Sequence, residues 1–124
     1  MTQLEGQGWR LERDISKRQF TVLIGAKDCA VELLETEWDS LCEIVFELID
    51  EHKKLKNNLM AEEEICLEME RSPWWACIDG TRESWSLKVI LSEEDEKTRG
   101  LELFWPISTA QTFTVAMRTM WDSY

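Results

Sequence analysis

The clearest hydrophobic pattern in the chain lies between residues 65 and 105, where four short apolar runs are separated by Pro, Gly or charged residues. In the third run, Trp85, Leu87, Val89 and Leu91 share one face of a strand, and serines with Lys88 occupy the other. Ser72-Pro73 and Asp79-Gly80 are typical of turns. The pattern predicts an antiparallel meander with one solvent-exposed face, with strands at 65–71, 74–80, 85–92 and 101–105 and a charged loop at 93–99.

Strands and a long helix are also predicted in the N-terminal half of the chain. Residues 1–8 are polar and are predicted to be disordered. Apolar alternation predicts strands at 9–13, 20–24 and 29–34. Thr36, with Asp39 three residues later, is predicted to cap a helix whose apolar stripe runs from Trp38 towards Leu59, with Asn57 and Asn58 favouring its end.

A second helix is predicted after Pro106, where Ser108 and Gln111 have the spacing of a capping box. The predicted order is three strands, a helix, four strands and a helix. Both helices are expected to pack on the buried face of one antiparallel sheet of about seven strands, which is an α+β fold. The two junctions between strand and helix resemble each other, which suggests a weak internal duplication. The 124 residues suit a single domain.

Cysteine use and hydropathy bear on the cellular compartment. The four cysteines lie in apolar segments and never at CxxC spacing, which favours buried free thiols over zinc ligands or disulfides. Neither an apolar run long enough for a membrane span nor a secretory leader is recognisable. The sequence therefore predicts a cytoplasmic protein.

The net charge of −11 argues against non-specific binding to nucleic acid, because such binding depends on Lys and Arg displacing counterions from phosphates. A local basic patch can still exist on an acidic protein, and the basic residues are unevenly spread along this chain.

Four segments carry a resemblance to a known family: Gly6–Leu11, Met60–Glu68, Pro73–Trp75 and Ala116–Trp121. With these segments the whole chain resembles an uncharacterised cyanobacterial family, domain of unknown function 1818. The resemblance implies a fold similar to the whirly and positive-cofactor-four type of single-stranded DNA-binding regulator, in which two halves each consist of a sheet followed by a helix. Whirly proteins have the sequence Lys-Gly-Lys-Ala-Ala-Leu on their second strand, and this chain has Phe-Thr-Val-Leu-Ile-Gly-Ala at 20–26 instead.

Candidate binding residues are the tryptophans and cations that single-strand binding requires, since bases stack on aromatic rings and phosphates pair with cations. Trp74 and Trp75 are adjacent on a predicted strand, so they point to opposite faces and at most one belongs to the core. The tryptophans are equally explained by core or dimer packing, or by a contact with a protein partner. The candidate residues are Trp74, Trp75, Arg71, Arg82, Lys88, Arg10, Arg13, Lys17 and Arg18.

Motifs of catalysis and metal binding are lacking in the sequence. His52, the only histidine, lies close to the apolar stripe of the first helix, which favours a packed residue over a catalytic base. The acidic runs at 62–64 and 93–96 lack the spacing of a calcium-binding loop. Glu68 and Glu70 share the solvent-exposed face of the sheet at a spacing compatible with the paired carboxylates of a glycosidase, but nothing else indicates that activity. The sequence predicts no cofactor, no metal and no enzymatic activity. An enzyme, the third class of function, would require a deep pocket with a perturbed titratable group near His52 or Glu68.

The sequence thus predicts a small non-enzymatic module that binds a macromolecule through the wet face of its sheet. A protein partner is favoured because the chain is acidic, and single-stranded DNA or RNA is the alternative. The alternative requires the seven candidate cations to share one surface. An exposed sheet edge would also allow a homodimer.

Overall fold

The computed structural model describes residues 1–92 and 100–123, and its first half contains a four-stranded antiparallel sheet. The strands are β1 Thr2–Gly6, β2 Trp9–Arg13, β3 Phe20–Gly25 and β4 Ala30–Leu34, in that spatial order. The prediction that residues 1–8 are disordered is wrong, because β1 pairs with β2 along its length and Leu4 lies opposite Leu11. Gly8 has φ of 82° at the turn between them, a conformation that glycine adopts without steric cost.

The predicted meander forms a second four-stranded antiparallel sheet. Its strands are β5 Ile65–Arg71, β6 Trp74–Gly80, β7 Trp85–Leu91 and β8 Leu101–Trp105, again in sequence order. The turn at Ser72–Pro73 is confirmed, with a cis peptide bond. Trp85, Leu87, Val89 and Leu91 are all buried, which confirms the buried face of that strand. The loop predicted at 93–99 lies outside the described residues.

Each sheet is followed in the chain by a helix. The first sheet is followed by α1 Glu35–Lys56, and the second by α2 Ile107–Asp122. Neither begins at its predicted cap. Thr36 lies inside α1, where the Glu37 carboxylate accepts a hydrogen bond of 2.8 Å from the Leu34 N–H instead. Ser108 lies inside α2, and the Gln111 side chain donates to the Glu83 carbonyl at 3.0 Å. Neither helix is long and apolar enough to cross a membrane in the part of the chain that the structure describes.

Each helix packs against both sheets, so that the hydrophobic core lies between the helices and the two sheets. α1 packs chiefly on β5 and β6, with further contacts to β3 and β4. α2 packs on β7 and also reaches β1, β2 and β8. Trp105 connects the layers directly, because its indole N–H donates to the Gly25 carbonyl at 3.0 Å and its ring stacks on Phe113 at a centroid distance of 4.1 Å.

The α+β class is confirmed, with the order of four strands and a helix occurring twice. The described residues form eight strands in two sheets where the sequence predicted about seven in one sheet. The difference has a physical cause. Alternation shows which side of each strand is buried, but it carries no information about which strands share hydrogen bonds.

Candidate protein-interaction surface

One side of the second sheet faces away from the helices, and we call it the outer face. It arises because successive side chains of a strand point to opposite sides, and the other side of each strand is occupied by the core. Strand pairing arranges most of its residues in two rows. The rows are Glu70, Trp75, Ile90 and Glu102, and Glu68, Cys77, Lys88 and Phe104.

Three apolar side chains lie near the centre and one edge of the outer face. Trp75 and Ile90 are direct cross-strand partners and are both half-buried. Phe104, on the edge strand β8, is 51% exposed and is a diagonal neighbour of Ile90. Such diagonal neighbours lie within reach of an aromatic ring. The three side chains therefore form an apolar strip that runs from β6 to the edge of the sheet.

Carboxylates flank this apolar strip on β5 and β8, and another lies further along β6. Glu68 and Glu70 lie on β5, Asp79 at the end of β6 and Glu102 on β8, and all four are exposed. Lys88 is the only cation in the two rows, and its ammonium is 2.8 Å from the Glu102 carboxylate. The hydrogen bond to Glu102, followed by the charge of the same group, raises the pKa of Lys88. Because this pair is neutral, the outer face keeps the negative charge of the remaining carboxylates.

The adjacent tryptophans Trp74 and Trp75 point to opposite faces of β6, as the sequence predicted. Trp74 is fully buried and its indole N–H donates to the Glu37 carbonyl at 2.9 Å. As a candidate surface residue, Trp74 is therefore ruled out, because its ring has no accessible side for a partner. Trp75 is the member of the pair that faces outward.

The candidate cations do not share one surface. Arg13 points inward from β2, where it is buried and lies 2.7 Å from the Glu35 carboxylate, whereas Arg10 of the same strand is exposed. Lys17 and Arg18 are exposed between β2 and β3. Arg71 and Arg82 are at opposite ends of β6, next to its two turns. Lys88 lies on the outer face.

Most of these cations already have an anionic partner. Arg71 is 2.7 Å from Glu47, Arg82 is 3.4 Å from Glu83, and Arg10 is 3.8 Å from Glu12. Arg82 also donates to the Leu59 carbonyl at 3.3 Å. Pairing lowers the charge that these side chains can offer to a phosphate backbone.

His52 is a packed residue in this fold. It is 4% exposed, and its Nε2 is 3.0 Å from the Thr81 carbonyl oxygen. Its ring lies 6.0 Å from that of Trp85. Within residues 1–92 and 100–123, no cluster of His, Cys, Asp and Glu has the geometry to hold a metal ion.

The cysteines are free, but the prediction that they are buried holds only in part. Cys42 is buried in α1, and desolvation raises the pKa of its thiol. Cys29 and Cys66 are exposed, because Cys29 precedes β4 in a turn and Cys66 points outward from β5. Cys77 is half-buried on β6, and its sulfur is 3.3 Å from that of Cys66.

Two cavities lie away from the outer face. One of about 460 Å³ is lined by Trp9, Arg10, Lys27 and Cys29, next to the end of the β1–β2 hairpin. Another of about 350 Å³ lies between the helices, where the Arg118 guanidinium is 3.8 Å from the centroid of the Phe46 ring. His52 and Glu68 line neither of them.

Comparison with known proteins identifies the family. The sequence model described as "Domain of unknown function (DUF1818)" matches residues 4–120, nearly the whole chain. The chain belongs to this family. This confirms the family resemblance predicted from the four sequence segments.

A solved structure gives an independent match to this DUF1818 chain. It is the crystal structure of a protein of unknown function from Prochlorococcus sp. NATL2A, described as a member of the DUF155 family. The two proteins are 43% identical, the match covers 98% of this chain and 99% of the other, and the TM-score is 0.92. No curated protein matches the sequence. The comparisons thus support the fold and the family, and neither description names a substrate or a partner.

Proposed function

We propose that this protein is a non-enzymatic interaction module that binds a protein partner through the outer face of its second sheet. The observation that carries the proposal is Phe104, a large aromatic side chain that is 51% exposed on an edge strand and continues the apolar strip of Ile90 and Trp75. Aromatic residues are enriched at the centres of protein interfaces. Complete burial of such a side chain contributes about 1.5–3 kcal/mol.

The charges around the strip indicate the chemistry of the partner. Glu70 lies opposite Trp75 and Glu68 lies diagonally to it, and Asp79 adds a further carboxylate four residues along β6. Complementary charge at the rim of an interface accelerates association and rejects partners of the wrong sign. The proposed partner therefore presents an apolar side chain flanked by Lys or Arg. The net charge of −11 adds a long-range attraction for such a surface.

The buried environment of His52 supports a module without catalytic activity. The ring is held against a backbone carbonyl and Trp85, and neither of the cavities described above is lined by it. The free thiols are typical of proteins in reducing compartments, which supports a cytoplasmic location.

Binding of single-stranded DNA or RNA is the alternative, and its support is that each half of the chain is a four-stranded sheet followed by a helix, the arrangement that the sequence resemblance implies for the whirly type. The distribution of the cations counts against it, because Arg71 and Arg82 lie at opposite ends of β6 and Arg13 is buried against Glu35. In an acidic protein, candidate cations that lie on different sides offer a phosphate backbone less of the electrostatic attraction on which such binding depends.

The proposal is tested by affinity capture from a lysate of the source organism with three immobilised proteins: the natural chain, Phe104→Glu and Val115→Glu. Val115 is a matched control, since it is an apolar side chain that is 66% exposed on α2. We expect one or more proteins to be captured by the natural chain and by Val115→Glu, and to be lost by at least about tenfold with Phe104→Glu, as for an interface hot spot of about 2 kcal/mol.

Equal capture by Phe104→Glu and the natural chain would contradict the proposal. The alternative is measured in parallel by fluorescence anisotropy of labelled single-stranded DNA and RNA at low salt. Saturable binding that weakens as salt increases would favour the nucleic-acid function instead.

A further inference from the structure

Two cysteine thiols meet on the outer face of the second sheet. Cys66 is exposed on β5, and Cys77 is half-buried on β6. Their sulfur atoms are 3.3 Å apart, so that one thiol donates a hydrogen bond to the other. We propose that Cys66 and Cys77 are a site of reversible oxidation, at which a small-molecule disulfide converts the two thiols into an intramolecular disulfide.

The strand arrangement allows the remaining approach of the two sulfurs. A disulfide bond is about 2.05 Å long, so the sulfurs must move closer by about 1 Å. In the ladder Cys66 faces Asp79 and Cys77 faces Glu68, which makes the cysteines diagonal neighbours. β5 is the outermost strand and pairs only with β6 among the described residues. It can therefore adjust its position without breaking hydrogen bonds to a third strand.

Exposure decides which sulfur reacts first. With oxidised glutathione as the small disulfide, the Cys66 thiolate attacks one glutathione sulfur, the glutathione S–S bond breaks and one glutathione thiolate leaves. Cys77 then loses its proton to solvent, its thiolate attacks the Cys66 sulfur, and the second glutathione thiolate leaves. The two leaving thiolates take up the two protons that Cys66 and Cys77 released to solvent. Two protein thiols are thus oxidised, and one glutathione disulfide is reduced to two glutathione molecules.

The second step depends on pH, because it requires the thiolate of the partly buried Cys77. Desolvation, followed by the hydrogen bond to Cys66, raises the pKa of Cys77 to about 12. Only the thiolate is nucleophilic, and below the pKa its fraction grows about tenfold for each unit of pH. Ring closure is therefore expected to accelerate by about tenfold per pH unit between about pH 7 and 9. The inference does not depend on the proposed partner binding, since it concerns only the two thiols.

The test uses the full chain with Cys29→Ser, which removes the other exposed thiol. The protein is equilibrated in buffers of increasing oxidised-to-reduced glutathione ratio, trapped with an alkylating reagent and analysed by intact mass and by tryptic peptides without reduction. Cleavage after Lys56, Arg71 and Arg82 places Cys66 in peptide 57–71 and Cys77 in peptide 72–82. We expect the loss of two hydrogen atoms per chain and a disulfide-linked pair of these two peptides.

Two matched variants identify the steps. Adding Cys77→Ser is expected to stop the reaction at a glutathione adduct on Cys66, and adding Cys66→Ser is expected to prevent ring closure. The inference is overturned if the Cys29→Ser protein accumulates the same adduct as its Cys77→Ser derivative without linked peptides. It is also overturned if no thiol reacts, or if peptide 57–71 is found linked to a second copy of itself.

Discussion

The two sheets have the same strand order, but their outward-facing side chains differ in chemistry. On the first sheet two outward rows cross all four strands: Gln3, Glu12, Leu23 and Glu32, in which Gln3 donates to Glu12 at 3.0 Å, and Glu5, Arg10, Gly25 and Ala30. On the second sheet the two outward rows hold Trp75, Ile90 and Phe104 among carboxylates. Repetition of a topology therefore does not repeat a surface, and the proposed function rests on the side chains of the second sheet.

The inner sides of the two sheets, by contrast, belong to one core. Trp38, Trp74 and Trp105 are fully buried, and Trp105 of the second sheet donates to Gly25 of the first. The sheets are thus alike where they meet and different where they face solvent. The following predictions test that contrast, beginning with the largest effect.

Trp105→Ala is expected to cost about 3–5 kcal/mol of unfolding free energy, because it removes a buried indole and leaves a cavity between the sheets. Trp105→Phe is the matched control. It preserves the stacking on Phe113 and loses the hydrogen bond to Gly25, for an expected cost of about 1–2 kcal/mol. Urea denaturation measures both. Equal stability of Trp105→Ala and the natural chain would show that the sheets do not depend on this contact.

Trp74→Ala and Trp75→Ala compare the two faces of β6. Trp74→Ala is expected to cost about 3–5 kcal/mol, since the ring is fully buried and its N–H is bonded to Glu37. Trp75→Ala is expected to cost less than half as much, since its ring keeps contact with water. Thermal unfolding gives the order of the two variants. A larger loss of stability for Trp75→Ala than for Trp74→Ala would contradict the assignment of the Trp74 side of β6 to the core.

Arg13→Met and Arg10→Met make the same comparison on β2 of the first sheet. Arg13 is buried with its guanidinium 2.7 Å from Glu35, and its replacement is expected to cost about 1–3 kcal/mol. Arg10 is exposed, and its guanidinium comes no closer than 3.8 Å to the Glu12 carboxylate. Its replacement should therefore change stability by less than about 0.5 kcal/mol. Chemical denaturation measures the stability of the two variants. Equal losses of stability would contradict the difference between the inner and outer faces of β2.

The smallest effect concerns exposed ion pairs on the solvent-facing sides of the two sheets. A double-mutant cycle with Lys88→Ala and Glu102→Ala is expected to show a measurable coupling, because the two groups are 2.8 Å apart. The cycle for Arg10 and Glu12, at 3.8 Å, should show a weaker one. Both couplings should weaken at about 1 M salt, where the Debye length is about 3 Å. A coupling for Lys88 and Glu102 that does not weaken as salt increases would indicate a buried pair.

Much of the fold was predictable because alternation is strong where one face of a strand is buried. Trp85 to Leu91 is such a strand, and it lies where the sequence placed it. β1 escaped prediction since Leu4 is its only apolar residue, and its stability comes from pairing with β2. The one signal available was Gly8, which permits the tight turn between the two strands.

The candidate site was predictable in part. Opposite orientations of Trp74 and Trp75 follow from strand geometry, and their sides could have been assigned, because Trp74 alternates in step with Ala76 and Ile78 while Trp75 alternates with Cys77 and Asp79. The scatter of the cations depends on tertiary packing, which no local pattern encodes. The contact between Cys66 and Cys77 depends on the register of the β5–β6 hairpin.

The most direct test of the contrast between the two sheets is photo-crosslinking from one position on each outer face. Benzoylphenylalanine is placed at position 104 on β8 or at position 32 on β4, since both residues are exposed and lie on edge strands. We predict that irradiation in cells of the source organism attaches a partner protein at position 104 and none at position 32. Equal crosslinking at the two positions, or crosslinking only at position 32, would contradict the assignment of the second sheet as the interaction surface.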